Sequence, residues 1–178
     1  MIFKQAIVLK DPVSTVKEYY SILEDTLLGD FLWPWDRSER KKARPKFYFF
    51  DCGVVRAIQN RLNDPPTPDE MGLLFKTWFV RELRRLRDYL NKPHEFSFWR
   101  EGPHEIDVPV TSGRGPIMAI ECKSGRETIG ASTLSAFRAR FPRVPLVVAS
   151  LKDRTARRLE SGIDILPWEK VIEKYQAL

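Results

Sequence analysis

At Asn91 the period of the apolar residues changes from helical to alternating, and this switch restricts the chain to folds that pack a long helix against a sheet. Upstream, Thr67, Pro68 and Glu70 stand where a capping box needs its N-cap, its first-turn proline and its acid three residues on, so a helix is expected from there to about Leu90. Leu73, Leu74, Trp78, Val80, Leu83 and Leu86 form its expected apolar face, with Arg81, Arg84, Arg85 and Arg87 largely opposite. Downstream, "EFSFWRE" and "EIDVPVTS" flank the tight "GPH", and "GPIMAIECKS" follows a second turn at "SGRG". Three antiparallel strands in a meander result. A helix near 133–140, the strand "VPLVVAS", a polar helical stretch "DRTARRLES", the strand "IDIL" and a helix from Pro167 complete an α/β sandwich around a mixed sheet.

Before the capped helix the pattern is less regular. Residues 13–28 read as an amphipathic helix with Ser14 as N-cap. "WPWDRSERKKARPK" then breaks all periodicity and carries Arg37, Arg40, Lys41, Lys42, Arg44 and Lys46, a loop that either is solvated or contacts phosphate. "KFYFFDCGVV" reads as a strand running into a turn and a short helix, with Asp51 as a turn or capping acid. The proline-dense "NDPPTPDE" sets the boundary between an N-terminal segment, 1–61, and a main unit, 62–178. The first is expected to pack on the second, because it is too short to bury a core alone.

The balance of 30 Lys and Arg against 24 Asp and Glu favours an anionic partner such as DNA. Cys52 and Cys122 sit in apolar strand-like contexts without a CxxC or Cys/His cluster, and read as reduced core thiols. With no signal-peptide pattern and no run of membrane-spanning length, a soluble cytoplasmic protein is expected.

Three charges interrupt the strand-like runs. Glu121 and Lys123, two apart, share a face, and the turn at 112–115 brings Asp107 close to them, so all three are expected to converge on one face of the sheet. Two carboxylates with the Cys122 carbonyl offer hard oxygen ligands for Mg²⁺ or Mn²⁺, and Lys123 is placed to orient a water or stabilise a phosphoryl oxygen. This is the chemistry of metal-assisted phosphodiester hydrolysis. An ion pair of Lys123 with either acid accounts for the same residues without catalysis. Arg84 and Arg85 join Arg37, Arg40, Lys41, Lys42 and Arg44 as expected nucleic-acid contacts. His94 and His104 read as exposed; Trp33, Trp35, Trp78 and Trp168 read as core fillers, the first two also placed to stack on bases.

The D…ExK spacing resembles the PD-(D/E)xK nuclease superfamily. Over nearly the whole chain, "STVKEYYSILEDTLL", "PKFYFFDCGVV", "GLLFKTWFVRELRR", "SFWREGPHEIDVPV", "IMAIECKSG", "TLSAFRARFP" and "ILPWEK" resemble, in order, motifs of the C-terminal unknown-function domain of bacterial and archaeal AAA-type ATPases. The resemblance implies a restriction-endonuclease-like mixed sheet flanked by helices, with a short N-terminal helical remnant of a winged-helix segment. It implies a divalent-metal-dependent nuclease acting on DNA, with Asp107, Glu121 and Lys123 catalytic and Asp107, Glu121 and the Cys122 carbonyl on the metal. Two departures bear on this. No GxxxxGK[ST] occurs, so ATP hydrolysis by that route is not expected of this chain, and an ATPase would be a separate partner. Lys76 stands where the family commonly carries a metal-supporting glutamate, while Glu82, on another face of the helix, is expected to pair with Arg85 or Lys76. The alternative expectation is therefore a degenerate nuclease-fold binding module serving that ATPase or another macromolecule, with assembly into an oligomer left open.

Overall fold

The structure is a computed structural model that describes residues 13–36, 38, 44–113 and 115–178. Arg37, Arg40, Lys41 and Lys42 lie outside the described residues, and the expectation placed on them is not addressed by it.

Helix α1 (Val13–Asp25) begins one residue before Ser14, so Ser14 lies within the helix and is not its N-cap. It leads into β1 (Gly29–Leu32), which pairs antiparallel with β2 (Lys46–Phe49). The strand β1 is absent from the sequence reading. Helix α2 (Cys52–Ile58) begins at Asp51, whose carboxylate accepts the Val54 N–H at 3.0 Å. Helix α3 (Pro68–Tyr89) carries the full capping box, Thr67 accepting from the Glu70 N–H and the Glu70 carboxylate accepting from the Thr67 N–H. The meander follows as β3 (Glu95–Phe96), β4 (Trp99–Glu101), β5 (His104–Ile106), β6 (Val108–Ser112) and β7 (Gly115–Lys123). Helix α4 (Ala131–Arg140), β8 (Leu146–Ser150), β9 (Arg157–Arg158), β10 (Asp164–Pro167) and α5 (Trp168–Gln176) close the chain.

Among the described residues the fold is thus α/β, with five helices around a six-stranded mixed sheet of order β3-β6-β7-β8-β10-β9. Strands β3, β6 and β7 pair antiparallel in this sheet, but β4 and β5 pair in a separate two-stranded sheet, so the expected three-strand meander is broken before Trp99 and at Asp107. Strands β7, β8 and β10 run parallel, with α4 as the crossover from β7 to β8. The polar stretch 153–161 is not a helix. Asp153 there accepts hydrogen bonds from Ser150 Oγ at 2.7 Å and Arg157 Nε at 3.0 Å, which holds a turn, and Arg157 then enters β9.

The core lies mainly between α3 and the sheet. Phe75, Phe79, Val80 and Leu83 meet Val108, Val110, Met118 and Ile120, while Leu134 and Phe137 of α4 cover the other side. The buried stripe of α3 is therefore rotated from the expected one: Phe75 and Phe79 are central, and Leu73 is 49% exposed. Rotation also brings Arg81 and Arg84 onto Asp30 of β1 instead of leaving them in solvent. The N-terminal segment is joined to the main unit at further points. Arg56 donates to Glu70 at 2.5 Å, Lys46 pairs with Glu105, and the backbone N–H of Trp35 donates to the Phe98 carbonyl at 2.7 Å. No helix among the described residues is long and apolar enough to cross a membrane.

Candidate functional site

The antiparallel ladder of β6 and β7 begins at the pair Val108 and Ile120, so Cys122 has no backbone partner on that side of β7. Asp107, in the one-residue break between β5 and β6, fills the vacancy with its side chain: Oδ2 accepts the Cys122 N–H at 3.0 Å. Its own N–H donates to Glu121 Oε2 at 3.2 Å. Two carboxylates from adjacent strands are thereby locked to each other through the backbone.

Two lysines complete the group. Lys123 Nζ lies 2.9 Å from Glu121 Oε1, as residues two apart on one strand allow. Lys76 reaches down from α3 and forms an ion pair and hydrogen bond with Asp107 Oδ1. Asp107, Glu121 and Lys123 do come together, but not on one face. Ile120 and Cys122 belong to the core under α3, so Glu121 and Lys123, out of phase with them, stand on the other face. Asp107 meets them from the strand break, where β6 starts beside the end of β7.

Burial gives this cluster its electrostatics. Asp107 is 2% exposed and Glu121 8%. Desolvation first, and then the adjacent Asp107 charge, push the Glu121 carboxyl up to about 7, against the pull of Lys123 and Lys76. For Lys76, burial acts to lower the pKa, but the charge and hydrogen bond of Asp107 outweigh it and the ammonium is held above its ordinary value. Burial, and next Asp107, raise the Cys122 thiol, which sits in the core beneath as an unreactive neutral group, and the Tyr48 phenol is raised by the same two causes.

These residues do not fit a divalent cation as they are arranged. Asp107 gives Oδ1 to Lys76 and Oδ2 to Cys122, and Glu121 gives Oε1 to Lys123 and Oε2 to Asp107. All four oxygens thus already accept from protein donors, and two ammonium groups repel a further cation. Residue 122 directs its carbonyl to the same side as its N–H, toward the break, so one neutral oxygen is offered there. Among the described residues no three His, Cys, Asp or Glu side chains group to hold a metal.

The remaining expected contacts separate. Arg84 is committed to Asp30 at 3.2 Å and donates to the Phe31 carbonyl at 2.7 Å, which turns it from solvent toward β1. Arg85 is largely exposed and pairs with Glu82 at 2.6 Å; Arg44 is exposed. His94 is buried, not exposed, with Nδ1 3.4 Å from Tyr175 Oη, and His104 is half-buried with Nδ1 3.2 Å from Thr133 Oγ1. Trp78 packs edge-on to Trp168 and Trp35 edge-on to Phe141, both as fillers, while Trp33 is partly exposed. Sequence reasoning missed the exposed cations Arg126, Lys152 and Arg154 on the loops that leave β7 and β8 just past Lys123 and Ser150. The parallel pairing of those strands sets the loops side by side, a proximity no local pattern reveals.

A family model described as a domain of unknown function (DUF4143) matches residues 71–171. Another, also described as a domain of unknown function (DUF8612), matches residues 8–65. Among curated proteins and among solved structures, nothing matches the chain.

Proposed function

We propose, on the premise that this chain belongs to the DUF4143 family, a domain of unknown function typically found C-terminal to AAA ATPases, that it is a nuclease-like binding module which engages DNA and an ATPase of that class without cutting. One observation carries the reading: every carboxylate oxygen of Asp107 and Glu121 is already satisfied by a protein donor, with Lys76 on Asp107. A buried acid so paired is a finished electrostatic unit rather than an open ligand set. Arg126, Lys152 and Arg154 beside it offer phosphate contacts. Tyr19, Ile22, Leu27 and Leu28 leave large apolar surface exposed on and just after α1, as expected of a face that an ATPase covers.

The second reading is a divalent-metal-dependent DNA hydrolase. It is favoured by the burial of two acids side by side, Glu121 accepting the backbone N–H of Asp107 and being raised by the Asp107 charge, since folding alone gains nothing from gathering such groups. Incubation of supercoiled, linear and single-stranded DNA with the protein in Mg²⁺ or Mn²⁺ separates the two. The expected result is retention that weakens with salt and no cleavage. Cutting by the native protein that Glu121→Ala abolishes would replace the first reading with the second.

A further inference from the structure

We infer that Lys76 is the resident cation of the site: its ammonium group occupies the place at Asp107 that a divalent ion would take, and residue 76 thereby sets how well the cluster binds metal. The inference rests on the reading that the paired site holds no divalent ion.

The argument begins with charge. With Glu121 ionised, above its raised pKa, Asp107 and Glu121 carry two negative charges against the two positive ones of Lys76 and Lys123, so the cluster closes to neutrality. A lysine ammonium is a compact point charge with three donors, and here it is carried on a helix fixed at its start by a full capping box. Lys76 is 24% exposed at the side chain while its partner Asp107 is 2% exposed, so the pair joins a buried carboxylate to an ammonium that solvent still reaches. Lys123 does not play this part, because it pairs with Glu121 along its own strand.

The consequence is quantitative. Lys76→Met leaves two acids against one lysine, a net charge of minus one. Lys76→Glu leaves three acids against one lysine, a net charge of minus two, which one divalent ion neutralises. It also puts a third carboxylate on the element whose side chain already ends at Asp107. With the Cys122 carbonyl that becomes a hard-oxygen set for Mg²⁺ or Mn²⁺.

Manganese titration followed by electron paramagnetic resonance and by calorimetry tests this on the full chain. The native protein should show no saturable Mn²⁺ site, Lys76→Met a weak one, and Lys76→Glu a site tighter than that of Lys76→Met by on the order of tenfold or more. Melting temperature should rise with Mn²⁺ in Lys76→Glu and stay constant in the native protein. Adding Glu121→Ala to Lys76→Glu should remove the site. A native protein that binds Mn²⁺ as tightly as Lys76→Glu overturns the inference, as does a folded Lys76→Glu that binds no more tightly than the native chain. Should Lys76→Glu fail to fold, Lys76→Met decides, and equal Mn²⁺ affinity in Lys76→Met and the native protein overturns it. DNA cleavage by the native protein would remove the binding-module reading, while the order of Mn²⁺ affinities would still uphold or overturn the role of Lys76.

Discussion

Two clusters of partly buried charge draw on helix α3, and they are built by different rules. At one, Lys76 meets Asp107, which contacts Glu121, which meets Lys123, so cations and acids alternate and balance. At the other, Arg81 and Arg84 both converge on Asp30 of β1, with Arg84 also holding the Phe31 carbonyl. The second cluster is unbalanced: burial first, then neighbouring guanidinium groups, draw both arginines below their ordinary pKa, and neither Nε has a hydrogen-bond partner among the described residues. Its geometry serves attachment, since planar forks gripping one acid and one carbonyl fix a strand to a helix. The first cluster attaches little that the hydrophobic core does not already hold. Its two acids, side by side and desolvated, are a cost to folding that a clamp would not incur. Two buried acids side by side, more than the number of ion pairs, distinguish a candidate site from a fastening.

The largest test of that contrast is Asp107→Ala. It should orphan the buried Cys122 N–H and leave the Lys76 ammonium without its acid, lowering unfolding free energy by about 3 kcal/mol in urea denaturation. A loss as small as that of a surface charge would mean that the cluster is not integrated into the fold.

Next comes the pH dependence of Glu121. Its carboxyl is raised from 4.5 to about 7, so the folded chain holds a proton that the unfolded chain releases. The stabilisation from that proton is full below pH 4.5 and is lost as pH rises through about 7, with a slope of at most about 1.4 kcal/mol per pH unit for one proton. Glu121→Gln should flatten this slope and be at least as stable as the native protein at neutral pH. A Glu121→Gln profile parallel to the native one would place the titration elsewhere.

The smallest effect belongs to the clamp. Asp30→Ala should cost about 1 kcal/mol, because Asp30, Arg81 and Arg84 are all partly solvated and screening discounts the pair. A loss equal to that of Asp107→Ala would erase the distinction between the clusters.

The legible parts of the fold were those with local, redundant signals. The capping box of Thr67 and Glu70 and the period change at Asn91 mark α3 and the meander from a few residues each. The strand β1 carries only four residues between a helix and an aperiodic stretch, too few for alternation to register. The helix expected at 153–161 does not form because Asp153 spends its side chain on Ser150 and Arg157, contacts that favour a turn. Spacing on β7 sufficed for the pairing of Glu121 with Lys123. The Lys76 to Asp107 contact, spanning 31 residues, depends on the rotation of α3, which was misjudged because Phe75 and Phe79, not Leu73, turn inward.

The amide of Cys122 gives the site a voice in a nuclear magnetic resonance spectrum. Its proton is donated to a carboxylate rather than to a backbone carbonyl, inside a strand that is otherwise laddered on both sides. Its chemical shift therefore follows the charge on Asp107, and its exchange with deuterium requires an opening that also releases Asp107. Any ligand or substitution that rearranges the four charges will be read first at that one backbone nitrogen.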